Sequence, residues 1–408
     1  MKIAIFVETY LPYLNGVVTH VKILREGLIN NGHEVLIVTA DKNVKEHVIE
    51  DGVLRCPALE VKRIYGYGLS SPLSGTLKHM IREFDPDIIH IQQEFGIGLA
   101  GMRAARDLNV PLIYTLHTMY DDYIYYIAPR PLTDIAKRIS HNYFRFIARR
   151  ADIITGPSKK CADFLANAKV HRTVHVIPNS VELENYTDDA TTPEQRAAIR
   201  KKYSIPENAF VACFCGRIGR EKGIDKLIEL WSEQMTDLEN AYLLVIGNGP
   251  EREELEQLAR QSGAGEHIIF TGAVAHDDIP PYYACCDVYA TASLSEMYSI
   301  SMLEAQASGL PVVQRLDPDN ADQIQVGVNG FLFETNEQFG EIMHKLYNMT
   351  EDEQKTLSES VRDSVKERSS DGIAKYLLDL YQQAIDKRAE KRRSSDRNRR
   401  IIGRNSAK

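Results

Sequence analysis

The chain has 408 residues, more than one ordinary hydrophobic core contains, so we expect two domains of similar size. With 43% hydrophobic and 26% charged residues the composition is that of a globular protein, and no apolar run approaches the roughly 20 residues that span a bilayer. The formal net charge of −8 is unevenly distributed, because residues 387–408 contain ten Lys/Arg against two Asp/Glu and the rest of the chain carries −16.

The N-terminal half alternates short apolar runs with helical patterns. The first run, Lys2–Val7, leads directly into Glu8 without a small-residue cleavage site, so we interpret it as a strand and not as a signal peptide. Further strands are predicted at 34–39, 87–91, 111–116, 153–156 and 174–177, and helices at 18–31 and 135–150. The C-terminal half repeats this rhythm, with predicted strands at 210–216, 242–246, 267–270, 288–290 and 311–314. Such alternation predicts parallel sheets covered by helices on both faces.

Two series of this kind indicate two Rossmann-like, doubly wound α/β domains. We expect the joint in the polar, turn-rich stretch between Pro178 and Pro206, with an N-terminal domain at 1–185 and a C-terminal domain at 186–370. An amphipathic helix at 371–386 would pack back on the N-terminal domain, and the basic segment 387–408, poor in large apolar residues, would stay disordered. Because open parallel sheets bind ligands at the carboxyl ends of their strands, we expect the site in a cleft between two facing domains.

Two glutamates, Glu296 and Glu304, stand on either side of a predicted helix N-terminus. An apolar stripe at helical spacing runs from Ile300 to Ala307, and Gly309 is a helix stop signal. A helix N-terminus attracts anions, whereas ionised carboxylates only accept hydrogen bonds and so suit sugar hydroxyls. A nucleotide sugar, which has both a diphosphate and hydroxyl groups, meets both conditions. A surface helix with two solvated glutamates is the alternative, and this stretch alone favours neither.

A glycine-flanked turn with two cations follows the first strand of the C-terminal half. The run Cys215-Gly-Arg-Ile-Gly-Arg-Glu-Lys-Gly223 places Arg217 and Lys222 between a strand and a helix. The planar guanidinium and the ammonium can clamp a diphosphate and stabilise it as it leaves. The next two strands also end in glycine-containing turns, at 246–250 and 270–274, on the same rim of the predicted sheet. That repetition favours a binding site over an ordinary solvated turn.

The N-terminal half contributes two weaker signals. Asn15-Gly16 precedes a helix, where backbone N–H groups can approach an anion closely. His117 ends a predicted strand, where it can hydrogen-bond a sugar hydroxyl or a carbonyl, although a lone histidine is more often structural. Asp121-Asp122 follows, but no further acidic cluster stands nearby and a hard cation needs several oxygen ligands, so we predict no obligatory metal.

The helical pattern at 135–150 mixes basic and aromatic residues as an interfacial anchor does. Its cations Lys137, Arg138, Arg145 and Arg149 are candidates for contact with an anionic membrane or a lipid acceptor, although a core-packed helix with a solvated basic edge fits the pattern slightly better. The basic tail would add about 1 kcal/mol per Lys/Arg near an anionic leaflet. Six cysteines without a C-x-x-C indicate free thiols in a reducing cytosol, so we expect a cytoplasmic protein held peripherally on the inner face of the cell membrane.

Taken together, these motifs resemble glycosyltransferase family 4, the retaining enzymes of the GT-B fold. The resemblance extends from the first residue to about residue 385. It rests on the E-x7-E of Glu296 and Glu304, the G-R-x-x-x-E-K-G of 216–223 and the V-I-P-N of 176–179. Within the family, the T-L-H-T-x-Y-x-D-Y run that begins at Thr115 is similar to that of the bacterial 1,2-diacylglycerol 3-α-glucosyltransferases.

The resemblance implies UDP-glucose as donor, 1,2-diacylglycerol as acceptor and no tightly bound cofactor. It also implies that the N-terminal domain at 1–185 binds the acceptor and that the C-terminal domain at 186–370 binds the nucleotide sugar. The implied catalytic residues are Arg217 and Lys222 at the donor diphosphate, Glu296 at the transferred sugar and His117 beside it. The implied donor-binding residues are Gly16 near the phosphate, Val274 at the base, Glu304 at the ribose, and Tyr298, Ser299 and Ile300 around the sugar. Ser299 stands where the family usually has glycine, so this position bears on the choice of sugar.

The implied mechanism is front-face displacement with retention, in which the leaving UDP oxygen assists deprotonation of the acceptor hydroxyl. Another transferase of the same fold, with galactose, mannose or GlcNAc as sugar or with a glycolipid or soluble acceptor, is an alternative. A non-catalytic nucleotide-sugar sensor is a second. A nucleic-acid-binding protein that uses the basic tail is a third, but it leaves the glycine-rich turns and the glutamate pair unexplained, so we expect no nucleic-acid partner.

Overall fold

The computed structural model describes residues 1–13, 15–61, 67–117, 132–187, 190–294, 296, 298–317, 323–366 and 370–405. These residues form two compact units. The N-terminal unit comprises Met1–Pro178 with Ser370–Lys408, and the C-terminal unit comprises Asn179–Ser369. The chain therefore passes into the second unit after Pro178, earlier than the expected boundary at residue 185.

A nine-stranded sheet organises the N-terminal unit. Its strands are β1 (Lys2–Val7), β2 (Glu34–Asp41), β3 (Val48–Glu50), β4 (Val53–Val61), β5 (Tyr67–Ser70), β6 (Ile88–Ile91), β7 (Leu112–Thr115), β8 (Ile153–Gly156) and β9 (Val174–Val176). The strand order is β3-β4-β2-β1-β6-β7-β8-β9, with β5 paired to β4. Neighbours are parallel except in the pairs β3–β4 and β4–β5. The order reverses between β1 and β6, and ligands bind open α/β sheets outside the carboxyl ends of strands at such a switch point.

Helices cover this first sheet. They are α1 (Gly16–Asn30), α2 (Gly75–Phe84), α3 (Gly96–Leu108), α4 (Thr133–Ala148) and α5 (Lys160–Asn167). Helix α1 begins at Asn15, whose side chain accepts the Val18 N–H at 3.0 Å and so caps the helix. Val21 and Leu24 of α1 are buried in one apolar cluster with Ile5 of β1.

A six-stranded parallel sheet organises the C-terminal unit. Its strands are β10 (Phe210–Cys215), β11 (Ala241–Ile246), β12 (Ile268–Gly272), β13 (Val288–Thr291), β14 (Val312–Arg315) and β15 (Gly330–Phe333). The order is β12-β11-β10-β13-β14-β15, the doubly wound order of a Rossmann fold. Its helices are α6 (Pro193–Lys202), α7 (Ile224–Gln234), α8 (Arg252–Gln261), α9 (Pro280–Ala284), α10 (Ile300–Ala307), α11 (Asn336–Tyr347) and α12 (Glu351–Val365). The switch point of this sheet lies between β10 and β13.

The last helix, α13 (Ser370–Asn405), returns to the N-terminal unit. Ala374, Leu377, Tyr381 and Ala384 form a stripe at helical spacing, are at most 2% exposed, and share the apolar cluster of α1 and β1. The expectation of disorder after residue 386 is wrong, because the helix continues to Asn405. Although residues 387–408 have few large apolar residues, they consist mainly of Lys, Arg, Glu and Ala, which are strong helix formers.

Four of the described strands escaped the sequence analysis: β3, β4 and β5 lack the continuous apolar run that identified the others, and β15 is short. All three residues of β3 are exposed, β4 contains Pro57, and β5 is a short antiparallel partner of β4. Strand β15 has four residues and begins at Gly330. Within the described ranges, no helix is both long enough and apolar enough to cross a membrane.

Candidate active site

The carboxyl ends of β10 and β13 bring the cationic turn close to the first glutamate. After β10, residues Arg220–Lys222 form a short 3₁₀ turn that ends at Gly223. Gly223 has a φ of 61°, and a Cβ at this position would lie 2.9 Å from the carbonyl oxygen of Ala292, just after β13. Only glycine lets the two turns approach so closely without strain. The predicted diphosphate turn therefore lies at the switch point of the sheet.

Arg217 is oriented by an acidic neighbour on the same turn. Its Nη2 donates a hydrogen bond to Oε1 of Glu221, four residues later. The Glu221 side chain is only 2% exposed, whereas that of Arg217 is 31% exposed. A buried carboxylate thus fixes one side of a guanidinium that reaches the surface, and such a planar fork is suited to phosphate oxygens.

Lys222 and Glu296 form an ion pair with each other. Lys222 Nζ lies 2.7 Å from Glu296 Oε1, and the two side chains are 19% and 13% exposed. Limited exposure reduces solvent screening, so this pair is held more firmly than an ion pair on the open surface. Two residues that the sequence analysis assigned to the diphosphate and to the sugar therefore neutralise each other in this structure.

Glu304 lies inside α10, is 5% exposed, and uses both carboxylate oxygens. Its Oε1 accepts a hydrogen bond from His276 Nε2 at 2.9 Å, and its Oε2 accepts one from the Tyr283 hydroxyl at 3.2 Å. Burial raises the pKa of Tyr283 well above its usual value, so this hydroxyl remains a donor. Each carboxylate oxygen has a second lone pair, and Glu304 can therefore accept further hydroxyl donors.

The helix between the two glutamates starts and ends as the sequence pattern predicts. Ser299 is its N-cap and accepts the N–H of Met302 at 3.4 Å, and Ile300 is its first residue. The helix stops before Gly309, whose φ is 85°. Glu296 precedes the helix and Glu304 lies within it, as expected.

Two buried amide side chains hold the loop that leads into α10. Asn179 Nδ2 donates to the carbonyl oxygen of Tyr298 at 2.7 Å. Gln323 bridges both backbone groups of Ser299, because its Oε1 accepts the N–H at 2.9 Å and its Nε2 donates to the carbonyl oxygen at 2.9 Å. The backbone of Tyr298 and Ser299, on which the sugar pocket would depend, is thus fixed from outside the helix.

Val274 follows the third glycine-containing turn, after Gly272, whose φ is 79°. It is partly buried against the core of the C-terminal unit. His276, two residues later, is the partner of Glu304, so the turn after β12 and helix α10 are directly linked.

The N-terminal unit contains the remaining predicted site residues. Gly16 is the first residue of α1, where backbone N–H groups have no acceptor within the helix. His117 follows β7, and its Nε2 lies 2.5 Å from Oε1 of Gln92. Burial lowers the pKa of His117 well below its usual value, and the nearby His20 and His90 act in the same direction. The His117 imidazole is therefore neutral.

Of the four cations predicted for membrane or acceptor contact, Lys137, Arg138 and Arg145 lie on α4 and Arg149 directly follows it. Arg138 and Arg149 are exposed, and Lys137 is half-buried. Arg145 Nε donates to the carbonyl oxygen of Ala168 at 2.7 Å, so this side chain stabilises the end of α5. Next to Arg138 and Arg149 runs an exposed apolar stripe of Ile135, Ile139 and Phe146, with 58%, 65% and 40% exposure.

Several residues of the site were not predicted. Glu221 and Asn179 belong to the quoted motifs and were given no role, although the i, i+4 spacing of Glu221 from Arg217 was visible. His276 and Gln323 act across 28 and 24 residues of sequence, and no local pattern identifies such partners.

Some predicted positions cannot be compared with the structure. Asp121 and Asp122 lie outside the described residues, as does the rest of 118–131. Across the part of the chain that the structure does describe, no group of three or more His, Cys, Asp or Glu side chains is arranged to hold a metal ion.

Both halves of the chain match models of known families. Residues 14–185 match the family described as Glycosyltransferase Family 4, and residues 195–364 match that described as Glycosyl transferases group 1. An alpha-monoglucosyldiacylglycerol synthase of Acholeplasma laidlawii is 31% identical over 402 residues, which cover 96% of this chain and 99% of the relative. A protein of the same description from Streptococcus pneumoniae is 30% identical over 387 residues, which cover 93% of this chain and 86% of the relative.

The fold has solved counterparts. HepE of Anabaena, crystallised in complex with UDP-glucose, aligns with a TM-score of 0.72 at 19% identity and covers 94% of this chain and 100% of its own. A likeness at this identity establishes the fold, which is GT-B with two Rossmann-like domains. Since two family models together span most of the chain and a relative above 30% identity covers nearly all of it, the chain belongs to glycosyltransferase family 4 and is a glycosyltransferase.

Proposed function

We propose that the protein is a retaining hexosyltransferase that moves glucose from UDP-glucose onto 1,2-diacylglycerol. One observation carries the proposal: Arg217, Lys222, Glu296 and Glu304 all lie at or near the carboxyl edge of one parallel sheet. The cations match a diphosphate, and the carboxylates match the hydroxyls of a ribose and a hexose. The synthases of Acholeplasma and Streptococcus support the lipid acceptor, and the UDP-glucose complex of HepE supports the donor.

In the proposed reaction, the bond between the anomeric carbon and the UDP oxygen breaks on the face where the acceptor oxygen attacks. The proton of the acceptor hydroxyl passes to the leaving phosphate oxygen, so the step balances without a protein base. Arg217 and Lys222 stabilise the negative charge that develops on the diphosphate, and loss of one such group typically costs about 10²- to 10³-fold in kcat.

Donor binding requires an exchange of partners at the ion pair of Lys222 and Glu296. A diphosphate carries more negative charge than one carboxylate, so Lys222 would move its ammonium from Glu296 to the phosphate oxygens. Glu296 would then be released to accept hydroxyls of the sugar. Arg217 would keep its bond to Glu221 and present the rest of its fork to the same phosphates. The ion pair thus keeps both groups oriented until the donor arrives.

The remaining roles in this proposal follow the chemistry of each residue. Glu304 accepts the ribose hydroxyls, and Val274 meets the base through its backbone. Ser299 and its neighbours Tyr298 and Ile300 surround the sugar. In the N-terminal unit, Gly16 offers a backbone N–H to the phosphate and neutral His117 hydrogen-bonds a hydroxyl of the sugar.

The acceptor side of the proposal rests on helix α4. Its exposed Ile135, Ile139 and Phe146 are apolar, and the exposed Arg138 and Arg149 suit an anionic lipid surface. The helix packs on the core through buried Phe144, Ile147 and Ala148, and the three exposed apolar side chains lie where a lipid surface would cover them. We infer that α4 and the basic tail hold the enzyme at the cytoplasmic face of the membrane, where a lipid acceptor is available.

A donor screen with the purified protein tests the nucleotide-sugar part of the proposal. UDP-glucose, UDP-galactose, UDP-GlcNAc and GDP-mannose are each offered with diacylglycerol vesicles, and nucleotide release is measured. We expect UDP-glucose to give the highest kcat/KM, and Arg217→Ala to lower kcat about 10²-fold or more. Arg220→Ala, an exposed arginine of the same turn, is the control and should stay within about twofold. A preference for GDP-mannose would reject the proposed donor.

A further inference from the structure

A chain of buried polar side chains lies beneath His117 in the N-terminal unit and ends at the C-terminal helix. It contains His90 and Gln92 at the end of β6, Thr115 of β7 and Tyr381 of α13. His90 is 1% exposed, and Gln92 and Tyr381 are fully buried. Buried polar groups are costly unless they are paired, and an apolar core at this place would cost less. The presence of this chain of polar side chains therefore points to a role beyond packing.

The first link connects α13 to the sheet. Tyr381 Oη lies 2.6 Å from His90 Nδ1, and His90 Nε2 lies 2.6 Å from Oγ1 of Thr115, which in turn lies 2.6 Å from Oγ1 of Thr155. Burial lowers the pKa of His90 to about 3, so this ring is neutral and has one N–H and one lone pair. A phenol is more acidic than an aliphatic hydroxyl, so we assign the donor role to Tyr381. Its proton then points at Nδ1, and Nε2–H donates to Thr115.

The second link connects His90 to His117. Gln92 Nε2 lies 3.2 Å from His90 Nε2 and 3.4 Å from His90 Nδ1. Since Nδ1 accepts the Tyr381 proton and Nε2 carries its own, the Gln92 amide N–H groups contact the π face of the His90 ring and not a ring lone pair. Gln92 Oε1 lies 2.5 Å from His117 Nε2. A carbonyl oxygen only accepts, so with this amide orientation the proton of neutral His117 is on Nε2. Nδ1 is then left as a hydrogen-bond acceptor, which is the state that can receive a hydroxyl of the sugar.

Helix α13 also closes the space beside these side chains. A cavity of about 10 Å³, roughly the size of one water molecule, is lined by His20, His90 and His117 from one side and by Ile373 and Leu377 of α13 from the other. His20 packs edge-on against His117, with ring centroids 4.8 Å apart. The ring of His117 is therefore held by neighbours that depend on where α13 lies.

We propose that Tyr381 is a positioning residue for His117. Through His90 and Gln92, the hydroxyl of the C-terminal helix holds the imidazole in its orientation and in the Nε2–H tautomer. The proposal rests on the proposed role of His117 in sugar transfer. It gives the last helix of the chain a part in the reaction.

A double-mutant cycle of Tyr381→Phe and His117→Ala tests the proposal, with kcat measured on the donor and acceptor pair that the screen identifies. Tyr381→Phe removes only the hydroxyl, and we expect kcat to fall about fivefold, as for one hydrogen bond. In the His117→Ala background, the same change should have no further effect, since interacting residues are not additive. Tyr376→Phe, on the exposed side of α13, is the control and should leave kcat within twofold in both backgrounds.

Each alternative outcome has a distinct meaning. Full activity of Tyr381→Phe, or an equal loss in both backgrounds, would overturn the positioning role and leave the proposed function intact. Full activity of His117→Ala would instead remove His117 from the proposed function. The nitrogen chemical shifts of ¹⁵N-histidine in the unmodified enzyme provide a check that needs no variant. We expect the Nε2–H tautomer for His117, and the Nδ1–H tautomer would contradict the proposal.

Discussion

Glu8, at the carboxyl end of β1, is a buried acid with an unusual titration. It is 6% exposed, and its Oε1 accepts the N–H groups of Ile97 at 2.8 Å and Gly98 at 3.1 Å. Its Oε2 is buried and has no hydrogen-bond partner among the described residues. Burial outweighs the two amides and raises the pKa of Glu8 to about 7, and the charge of Glu94 acts in the same direction.

We predict that Glu8 makes the protein less stable as pH rises from about 5 to 7.5. In that window the folded chain keeps a proton that the unfolded chain has lost, so the free energy of unfolding falls with pH, by up to about 3 kcal/mol. The glutamine of Glu8→Gln cannot ionise, so the variant lacks this pH-dependent part of the free energy of unfolding. Thermal unfolding of both proteins across this range should show that the stability of the variant, relative to the unmodified protein, increases with pH. Parallel pH profiles of stability would contradict the raised pKa of Glu8.

At the residue scale, the sequence identified the groups whose chemistry is readable from type and spacing. Arg217, Lys222, Glu296 and Glu304 all stand in short motifs next to predicted strand ends or a predicted helix. Their partners could not be read in the same way. Gln323 and Ser299 come into contact only in the folded unit. No local sequence pattern identifies Gln323 as a partner of that backbone. Pairing of Lys222 with Glu296 likewise required two strand ends to meet.

At the element scale, the loop before α10 depends on Gln323. Gln323→Ala removes two hydrogen bonds to the Ser299 backbone, each worth about 1 kcal/mol, and so loosens the loop that begins at Glu296. We predict at least a tenfold rise in the KM for the donor, measured by initial rates at saturating acceptor. Gln261→Ala, an exposed glutamine of the same unit, should leave KM unchanged. An unchanged KM for Gln323→Ala would mean that this loop does not shape the donor site.

The outer face of α4 provides a second prediction at this scale. Replacing exposed Ile135 and Ile139 by glutamate puts charge where the proposed membrane contact is apolar, and burial of such side chains is worth up to about 1.5–3 kcal/mol each. Flotation with anionic vesicles should show at least a tenfold loss of binding. Ile29→Glu, at the exposed end of α1, is the matched control. Equal binding of all three proteins would exclude α4 as the anchor.

At the scale of the whole molecule, alternation of apolar runs with helical patterns was enough to predict two α/β units. Buried parallel strands such as β1 and β10 are continuous apolar runs because both faces are covered. Strands β3 to β5 are exposed or pair in antiparallel fashion, so their sequences lack such a continuous apolar run. For α13, the apolar stripe correctly indicated the return to the N-terminal unit. The length of the helix was not predicted, because it depends on helix propensity and not on the number of large apolar residues.

The uneven charge of the chain gives a prediction at this scale too. Truncation after Glu390 removes eight Lys/Arg and one acidic residue but keeps Arg388, whose Nη2 pairs with Asp152 at 3.2 Å. We predict weaker binding to anionic vesicles and a flatter dependence of binding on salt, because attraction of basic residues to an anionic leaflet is screened. Turnover on diacylglycerol in neutral detergent micelles should be preserved. Unchanged vesicle binding would show that the tail takes no part.

The most direct test of the whole account follows the sugar itself. Purified enzyme is incubated with UDP-[¹³C]glucose and vesicles of diacylglycerol with an anionic phospholipid, and the lipid product is isolated and examined by NMR. The account predicts a monoglucosyl diacylglycerol whose anomeric carbon keeps the α configuration of the donor. A β-linked product would contradict front-face displacement, and label released only as free glucose, with no labelled lipid, would contradict the proposed function.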